Sequence, residues 1–401
     1  MPTEVATATA WNFQIPATAS AEAMDEPCPE LSSSVSTRDS AIDARSIHST
    51  YTPPRKMTSK LQGLFHHSNT EPSPGKRHSM NLFGKSRSSS QSSGSSSPPA
   101  IPSLSQKYGS CKKGFVSEGA TAVIRLVTKS NCCSDVYCVK AFHKKAKDDS
   151  DRSYMKRMTS EFCISSTLRH ENVVKTLDLV IDEKGRYCAV MEYCSGGDLF
   201  EVVRERSLTD EELACLFKQL LRGLQYMHES GVVHRDIKPE NLVLTSCGTL
   251  KIADFGVSDV FQSCFETAPR NCRGAVGSHP YHPPELFEHG NDYDGRAMDV
   301  WSAAITFYCM KFRRLPFLSA TKDDASYAEF LTALPNLDWA PFANMSQAQQ
   351  DCLYGMLDIN PKTRWTIKQA LESEWMQSVE VCQDGALKSG WKHYHYLPTR
   401  R

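Results

Sequence analysis

The sequence predicts an α+β fold, with strands concentrated before Gly197 and helices after it. Three apolar runs rich in β-branched residues predict strands at residues 120–127, 136–142 and 187–193. A stretch with helical character, residues 151–168, lies between the second run and the third. The first half of the folded region is therefore expected to be a small sheet with one helix.

The helices predicted after Gly197 carry their own start signals. Thr209 and Glu212 form a capping box, and apolar residues recur at helical spacing from residue 213 to residue 227. Residues 297–310 and 346–357 are predicted as further helices. The second half of the folded region is therefore expected to be mainly helical.

Residues 1–105 differ in composition from the rest of the chain. They are rich in Ser, Thr, Pro and Ala, and they lack sustained apolar periodicity. Such a segment cannot bury enough apolar surface to offset its ordering entropy, so we predict a disordered tail. Residues 38–107 carry ten Lys or Arg against three Asp or Glu. Two interpretations stay open: a phosphorylatable contact with an anionic membrane or a partner, or a plain solvated linker.

Composition excludes several other classes of protein. The chain has 401 residues and a formal net charge of +0, so nothing indicates a nucleic-acid partner. Its 15 cysteines are irregularly spaced without a C-x-x-C pair, which argues against a disulfide framework and against a zinc site. No apolar run has transmembrane length, and no secretory or mitochondrial address is present. We therefore expect a cytoplasmic protein, peripheral to the plasma membrane if the basic stretch contacts lipid.

Two short motifs carry the chemistry. H-R-D-I-K-P-E-N occupies residues 234–241, and D-F-G occupies residues 254–256. Phosphoryl transfer from ATP needs one group to orient the attacking hydroxyl and oxygen ligands to hold Mg²⁺ against the phosphates. Asp236 suits the first role. Asn241 and Asp254 suit the second, because magnesium prefers oxygen ligands.

These motifs resemble the catalytic core of eukaryotic protein kinases, in which H-R-D-x-K-x-x-N is followed by D-F-G. The resemblance implies a bilobal kinase fold, with a small β-rich N-lobe, a larger helical C-lobe, and ATP and Mg²⁺ bound between them. Three regions are predicted on this basis. They are a disordered regulatory tail (1–105), a catalytic domain (106–378) and a C-terminal tail (379–401).

The glycine loop of kinases, G-x-G-x-x-G-x-V, corresponds to the stretch from Ser117 to Ile124. Only the middle glycine, Gly119, is retained. Ser117 and Ala122 are small, so the backbone can still approach the ATP phosphates, although the loop should be stiffer. The resemblance assigns Ser117, Gly119, Ala122 and Ile124 to ATP binding.

The rest of the ATP site follows from the same resemblance. Lys140 matches the lysine that contacts the α- and β-phosphates, and Glu161 is its expected partner; a solvated glutamate is the alternative for Glu161. In the hinge, Met191 to Cys194, backbone groups would bind adenine, with Glu192 and Cys194 as the expected contacts. Asp198 is expected near the ribose.

Three further residues match structural positions of the family. Asp299 is expected to anchor the backbone of the catalytic loop. Glu285 is expected to pair with Arg364 in the interior. Neither prediction assigns these residues a chemical role.

Loop residues indicate the class of substrate. Lys238, catalytic by resemblance, and Gly277-Ser278 are features of serine/threonine kinases, so the expected partners are proteins with Ser or Thr acceptors. Glu240 and Asp198 together could receive an arginine that precedes the acceptor. Cys309 occupies the position of a further acid found in strongly basophilic kinases, which weakens that expectation.

Regulation can also be predicted from one position. Gly274 stands where the usual phosphate acceptor of the activation loop is expected, and it has no hydroxyl. We therefore predict activity without activation-loop phosphorylation.

Residues 107–111 and 277–281 further resemble those of fungal halotolerance-type kinases, which control ion and nutrient transporters at the plasma membrane. The segment 392–398 alternates histidines with aromatic residues, which predicts a strand-like or docking tail rather than a metal site. Two other classes of function remain open. One is a pseudokinase scaffold, indicated by the eroded glycine loop and by Ser165 and Thr176 at positions that are usually apolar. The other is an adaptor that works mainly through the N-terminal tail.

Overall fold

The computed structural model describes most of the chain after residue 100. The described ranges are 101–109, 117–118, 122–128, 136–145, 149–288 and 292–398. The predicted disordered tail lies outside these ranges up to residue 100, and Gly119 also lies outside them. Within the described ranges, no helix has the length and apolar composition that a membrane crossing requires.

The N-lobe, residues 101–192, is built on one antiparallel sheet of five strands. Its strands are β1 (Ser117–Glu118), β2 (Ala122–Thr128), β3 (Val136–Phe142), β4 (Thr176–Ile181) and β5 (Tyr187–Glu192). Their order across the sheet is β1-β2-β3-β5-β4. Strands β2, β3 and β5 lie in the three apolar runs, so this part of the prediction is confirmed.

A short helix, α1 (Leu104–Tyr108), corrects the boundary of the predicted tail. Leu104 is buried in an N-lobe cluster that includes Val127 and Val180. The Tyr108 hydroxyl donates to Asp178 at 3.3 Å, across 70 residues of sequence. Local composition could not reveal these distant partners, and ordered structure therefore begins before residue 106.

Helix α2 (Asp151–Thr167) is the helix predicted between the strands. It begins at Ser150, whose Oγ accepts the Ser153 N–H at 3.1 Å. Met158 of α2 packs with Phe142 of β3 and Ala189 of β5. This packing fixes α2 against the sheet beside Lys140.

The C-lobe, residues 196–398, is mainly helical, as predicted. Its helices are α3 (Leu199–Glu205), α4 (Asp210–Glu229), α5 (Pro284–Glu288), α6 (Gly295–Phe312), α7 (Ala325–Ala333), α8 (Gln347–Met356), α9 (Ile367–Glu372) and α10 (Glu374–Ser378). The capping box of Thr209 and Glu212 is present at the start of α4. Phe217 of α4 packs on Phe307 of α6 and on Trp375, with ring centroids 4.8 and 5.6 Å away.

Three small antiparallel sheets position the loops of the C-lobe. They are β6 (Val232–Val233) with β9 (Asp259–Val260), β7 (Leu242–Leu244) with β8 (Leu250–Ile252), and β10 (Cys272–Arg273) with β11 (Asp292–Tyr293). The H-R-D motif follows β6, and the D-F-G motif lies between β8 and β9. The pairing of β6 with β9 therefore brings the two motifs together.

The segment after α10 runs back along the C-lobe. Its Tyr394 N–H donates to the Glu212 carboxylate at 2.7 Å. Its Leu397 N–H donates to the Gly196 carbonyl at 2.8 Å, directly after the hinge. The docking predicted for residues 392–398 is thus made to the C-lobe of the same chain.

Candidate active site

The catalytic loop is held by one buried carboxylate. Arg235 has a φ of 67°, a left-handed conformation that costs a non-glycine residue about 1–2 kcal/mol. Asp299 of α6 is fully buried and accepts the backbone N–H groups of His234 at 2.8 Å and Arg235 at 2.7 Å. The contact expected between Asp299 and this loop is therefore present, and it offsets the backbone strain.

The two carboxylate oxygens of Asp236 differ in their contacts. Its Oδ2 accepts the Asn241 amide N–H at 2.9 Å and lies 3.1 Å from the Lys238 ammonium. Its Oδ1 is buried and has no hydrogen-bond partner in the part of the chain that the structure describes. The oriented, unshared oxygen can accept a proton from a hydroxyl placed against it.

Asn241 is oriented by the same loop. Its Nδ2 donates to the Asp236 carbonyl at 2.8 Å and to the Asp236 carboxylate at 2.9 Å. Both bonds use the amide nitrogen, so the amide oxygen is directed away from Asp236. An oxygen in this arrangement is the kind of ligand that Mg²⁺ prefers.

Lys140 of β3 lies between two carboxylates. Its Nζ is 2.6 Å from Glu161 of α2 and 2.7 Å from Asp254 of the D-F-G motif. The Lys140 side chain is only 7% exposed, whereas the Asp254 side chain is 49% exposed. The predicted contact of Lys140 with Glu161 is therefore present. The solvated alternative for Glu161 is excluded, because its side chain is only 11% exposed.

The three charges shift one another's pKa values. Burial opposes the ammonium of Lys140, but the two carboxylates outweigh burial and raise its pKa. Burial raises the pKa of Glu161 more than Lys140 lowers it. Desolvation alone would raise the pKa of Asp254, yet Lys140 holds it below its usual value. Asp254 is thus kept as a carboxylate, the form that a cation needs.

The stretch expected to cover the phosphates is described only in part. β1 pairs with β2 so that Ser117 lies opposite Ile124, and Ile124 in turn lies opposite Lys140 of β3. Ala122 is buried at the start of β2. Three of the four assigned residues therefore lie on strands next to Lys140, and Gly119 lies outside the described residues.

The hinge residues connect β5 to the C-lobe. The Glu192 carboxylate accepts the Lys175 N–H at 2.6 Å and lies 3.0 Å from the Lys251 ammonium. Its side chain is therefore engaged, which leaves only backbone groups for adenine. Burial, followed by the nearby Glu192 charge, raises the pKa of the half-buried Cys194 thiol to about 12. This cysteine is a neutral thiol at physiological pH.

Asp198 lies where the hinge segment enters α3. Its Oδ1 accepts the Glu201 N–H at 2.8 Å and caps the helix. Desolvation raises the pKa of Asp198 to about 6, although the bond from Glu201 opposes the shift. Its charge therefore changes within a pH range that an enzyme assay can sample.

The guanidinium of Arg235 already has partners in the activation segment. Its Nε donates to the Val257 carbonyl at 2.7 Å, and its Nη1 donates to the Arg273 carbonyl at 3.2 Å. Arg235 is only 8% exposed. Backbone carbonyls thus already bind the arginine that, in many kinases, binds a phosphate on the activation loop.

The buried ion pair expected in the C-lobe is present. Arg364 donates to both carboxylate oxygens of Glu285, at 2.7 and 2.8 Å. The Arg364 side chain is 0% exposed, and it also donates to the Ala297 carbonyl at 2.9 Å. Arg364, in the loop before α9, therefore connects α5 to the start of α6.

Two contacts of the site were not recognised from the sequence. His234 Nε2 lies 2.9 Å from the Ala253 carbonyl and links the two motifs. Gly277 has a φ of +94°, and a Cβ at this position would lie 2.2 Å from the Arg235 carbonyl. Both residues belong to sequence motifs that were recognised. Their partners depend on how two loops meet in space, which the spacing of residues within a motif does not show.

Comparison with known proteins agrees with this geometry. Residues 112–376 match the family described as "Protein kinase domain". The chain belongs to the protein kinase family.

Among its curated relatives are two fungal kinases, each 42% identical over 71% of this chain. One is serine/threonine-protein kinase HAL4/SAT4 of Saccharomyces cerevisiae, of which 49% is covered. The other is serine/threonine-protein kinase hal4 of Schizosaccharomyces pombe, of which 45% is covered. The nitrogen permease reactivator protein of S. cerevisiae is 32% identical over 65% of this chain and 39% of its own length.

The resemblance to halotolerance-type serine/threonine kinases is thereby confirmed. The chain spans about half the length, or less, of these relatives.

Proposed function

We propose that this chain transfers the γ-phosphoryl group of Mg·ATP to serine or threonine hydroxyls of proteins. The observation that carries the proposal is the convergence of Asp236, with its unshared Oδ1, and the Lys140–Glu161–Asp254 cluster. In the proposed reaction, Asp236 orients the acceptor hydroxyl and accepts its proton. Lys238 stabilises the charge of Asp236 from 3.1 Å and donates to Ser278 at 2.6 Å.

The residues present fit both ATP and magnesium. Asp254 stays ionised and Asn241 directs an amide oxygen outward, which gives the two protein oxygens that a magnesium site with phosphates requires. When bound, Mg²⁺ neutralises charge that develops on the phosphates. Lys140 would hold the α- and β-phosphates, with Glu161 fixing its position. Backbone groups of the hinge would hold adenine, and Asp198 would contact the ribose.

The pseudokinase alternative lacks support from this geometry. Thr176 is buried at 1% exposure and its hydroxyl has no partner among the described residues, while Ser165 donates to the Phe162 carbonyl at 3.2 Å. The Ser165 hydroxyl is thus paired and the Thr176 hydroxyl is not, and the contact of Lys140 with Glu161 is present beside both. A binding scaffold would not need that contact together with Asp236.

The direct test is incubation of the purified full chain with radiolabelled ATP, Mg²⁺ and a peptide with a single serine preceded by arginine. We expect label on the serine peptide and on its threonine analogue, and none on the tyrosine analogue. Absence of label from all three peptides, with a folded protein that binds ATP, would support a binding role instead.

We further propose that the physiological substrates include membrane transport proteins. The support is the name of one relative, the nitrogen permease reactivator protein. The basic stretch 38–107, described here only from residue 101, would bring the kinase to anionic lipid. Each Lys or Arg near such a surface contributes about 1 kcal/mol, and salt weakens the attraction. Cosedimentation with phosphatidylserine vesicles should therefore fall with added salt; salt-insensitive behaviour supports the plain linker.

Preference for an arginine in the substrate should depend on pH through Asp198. Only ionised Asp198 attracts a guanidinium, so the attraction is present above pH 6 and is lost as pH falls through its pKa of about 6. Between pH 7 and pH 5, we expect the KM for an arginine-containing peptide to rise about tenfold, as for loss of a charge-assisted hydrogen bond. A peptide with norleucine in place of the arginine is the control.

The matched variant is Asp198→Asn, which still caps α3. It should show the low-pH KM at every pH and should lose the difference between the two peptides. An arginine preference that persists at pH 5, or in the variant, would assign the recognition to another residue, such as Glu240.

Activation-loop phosphorylation should be unnecessary for activity. Arg235 is already bonded to the Val257 and Arg273 carbonyls, so the loop is ordered without a phosphate. We expect phosphatase treatment to leave peptide phosphorylation within about twofold, since no activating contact is removed. The variant that replaces Ser258, Ser263 and Thr267 with alanine should keep peptide phosphorylation within the same range. Loss of most activity in both samples, with the variant still folded, would reveal a displaced phosphosite.

A further inference from the structure

Four potential metal ligands meet in the interior of the C-lobe, away from the catalytic loop. Cys215 lies on α4, and Cys382, His393 and His395 lie in the segment after α10. All four are buried: Cys215 and His395 at 0% exposure, and Cys382 and His393 at 7%. One ligand atom from each residue lies within 4.8 Å of the other three.

The distances within this cluster match the edges of a tetrahedral zinc site. The two sulfur atoms are 3.6 Å apart, and Cys382 Sγ is 3.4 Å from His395 Nε2. With Zn–S of about 2.3 Å and Zn–N of about 2.05 Å, a tetrahedron separates two sulfurs by about 3.8 Å and sulfur from nitrogen by about 3.6 Å. The sulfurs are too far apart for a disulfide, which requires about 2.05 Å.

Each of the two imidazole rings has one buried nitrogen atom without a hydrogen-bond partner. His393 Nδ1 and His395 Nδ1 are both buried, and neither has a hydrogen-bond partner among the described residues. Leaving a buried polar atom unpaired is unfavourable, so these nitrogen atoms need an explanation. A coordinated cation can account for His393 Nδ1, because neutral imidazole nitrogen is a common zinc ligand. His395 faces the cysteine sulfurs through Nε2, so its Nδ1 stays unpaired with or without the ion.

The sulfur of Cys215 is surrounded as a thiolate ligand would be. It accepts the Gln219 side-chain N–H at 3.4 Å and the Cys382 backbone N–H at 3.4 Å. Donors around a metal-bound sulfur of this kind orient the ligand and stabilise its charge.

We propose that Cys215, Cys382, His393 and His395 bind one Zn²⁺ as a closed Cys2His2 site. Two thiolates with two imidazoles in tetrahedral arrangement favour zinc over magnesium or calcium, which prefer oxygen. Four protein ligands leave no position for water or substrate, so the ion has a structural role. The proposal is independent of the catalytic proposal above.

The site would fasten the C-terminal segment to α4. Tyr394, between the two histidines, donates its backbone N–H to Glu212 of α4, and Leu397 donates to the Gly196 carbonyl after the hinge. The Arg206 side chain also donates to the Tyr396 carbonyl at 3.1 Å. Zinc would therefore hold the segment that lines the C-lobe side of the hinge.

This assignment departs from the interpretation of the cysteine spacing. Cys215 and Cys382 are 167 residues apart, so no short metal-binding motif is present. The alternation of His393 and His395 with aromatic residues predicted a docking segment, and the same alternation places both rings on one side of an extended chain. Docking and metal binding therefore use the same residues.

Metal content and optical spectra test the proposal on the full chain. Protein purified without chelator should contain one zinc per chain by mass spectrometry of the metal. Replacement of zinc by Co²⁺ should give the visible absorption bands and the sulfur-to-cobalt charge-transfer band of a tetrahedral thiolate site. Cys382→Ser and His395→Gln should each lose most of the zinc and change the cobalt spectrum.

The matched control is Cys352→Ser. Cys352 is also buried, but its sulfur lies in a different part of the C-lobe, where it contacts the Ala370 carbonyl at 3.9 Å and interacts with Ser373. This variant should keep the zinc and the spectrum. If the cluster variants do not fold, the wild-type metal content and cobalt spectrum decide the question alone.

Three results would overturn the proposal. The first is wild-type protein that contains no zinc and takes up neither Zn²⁺ nor Co²⁺. The second is zinc retained in full by both folded cluster variants, which would place it elsewhere in the chain. The third is an intact mass two hydrogens lower with Cys215 joined to Cys382, which would identify a redox pair.

Discussion

Asp236→Asn should lower kcat by about 10²–10⁴-fold while leaving nucleotide binding close to wild type. The amide still accepts hydrogen bonds from Asn241 and Lys238, so the loop keeps its conformation. It cannot take the proton that the buried Oδ1 is placed to accept. The measurements are steady-state peptide phosphorylation and titration with a fluorescent ATP analogue.

Asp254→Asn should also abolish phosphorylation, but it should do so by weakening Mg²⁺-dependent nucleotide binding. Asp254 has a φ of 61°, which asparagine tolerates, and the amide oxygen can still accept the Gly256 N–H. The change removes the negative charge of one magnesium ligand, so Mg²⁺-dependent nucleotide binding should weaken and turnover should disappear. Asp351→Asn on the surface of α8 is the control. Wild-type phosphorylation by either site variant would refute the catalytic assignment.

Glu285→Gln should produce a large loss of stability. It leaves the Arg364 guanidinium, 0% exposed, without its counter-charge. Removing the charge of one member of a buried ion pair costs about 3–5 kcal/mol. The remaining partners of Arg364, the amide oxygen of the variant and the Ala297 and Asp358 carbonyls, are all neutral. The midpoint of thermal unfolding should fall by about 6–12 °C for a domain of this size.

Glu372→Gln provides the matched comparison. Glu372 pairs with Lys368 at 3.8 Å on the surface of α9, with both side chains more than 60% exposed. Exposed pairs of this kind contribute about 0–1 kcal/mol, so the midpoint should barely move. Equal shifts in the two variants would show that the Arg364 pair is not important for stability.

Features encoded by local pattern could be predicted from the sequence. β3 spans Val136–Phe142, the same residues as the apolar run, and the capping box begins α4 at the expected residue. The contact of Lys140 with Glu161 was also anticipated, because strand and helix positions in this family are coupled by a fixed spacing. In each case the signal lies within a motif or a short window.

Features that depend on two distant segments could not be predicted in the same way. Leu104 belongs to the N-lobe core because it packs in one cluster with Val127 and Val180. The residues next to it in sequence have the composition of the predicted tail. The partners of Arg235 are backbone carbonyls, which any residue type can supply. The cluster of Cys215 with His393 and His395 likewise requires the docked path of residues 382–398.

The hinge cysteine has a consequence for inhibitor chemistry. Covalent inhibitors react with the thiolate form of cysteine, and the fraction of thiolate falls as the pKa rises. Because burial raises the pKa of Cys194, its thiolate form is disfavoured at neutral pH. An electrophile placed beside Cys194 should therefore react more slowly than it would with an exposed cysteine of ordinary pKa.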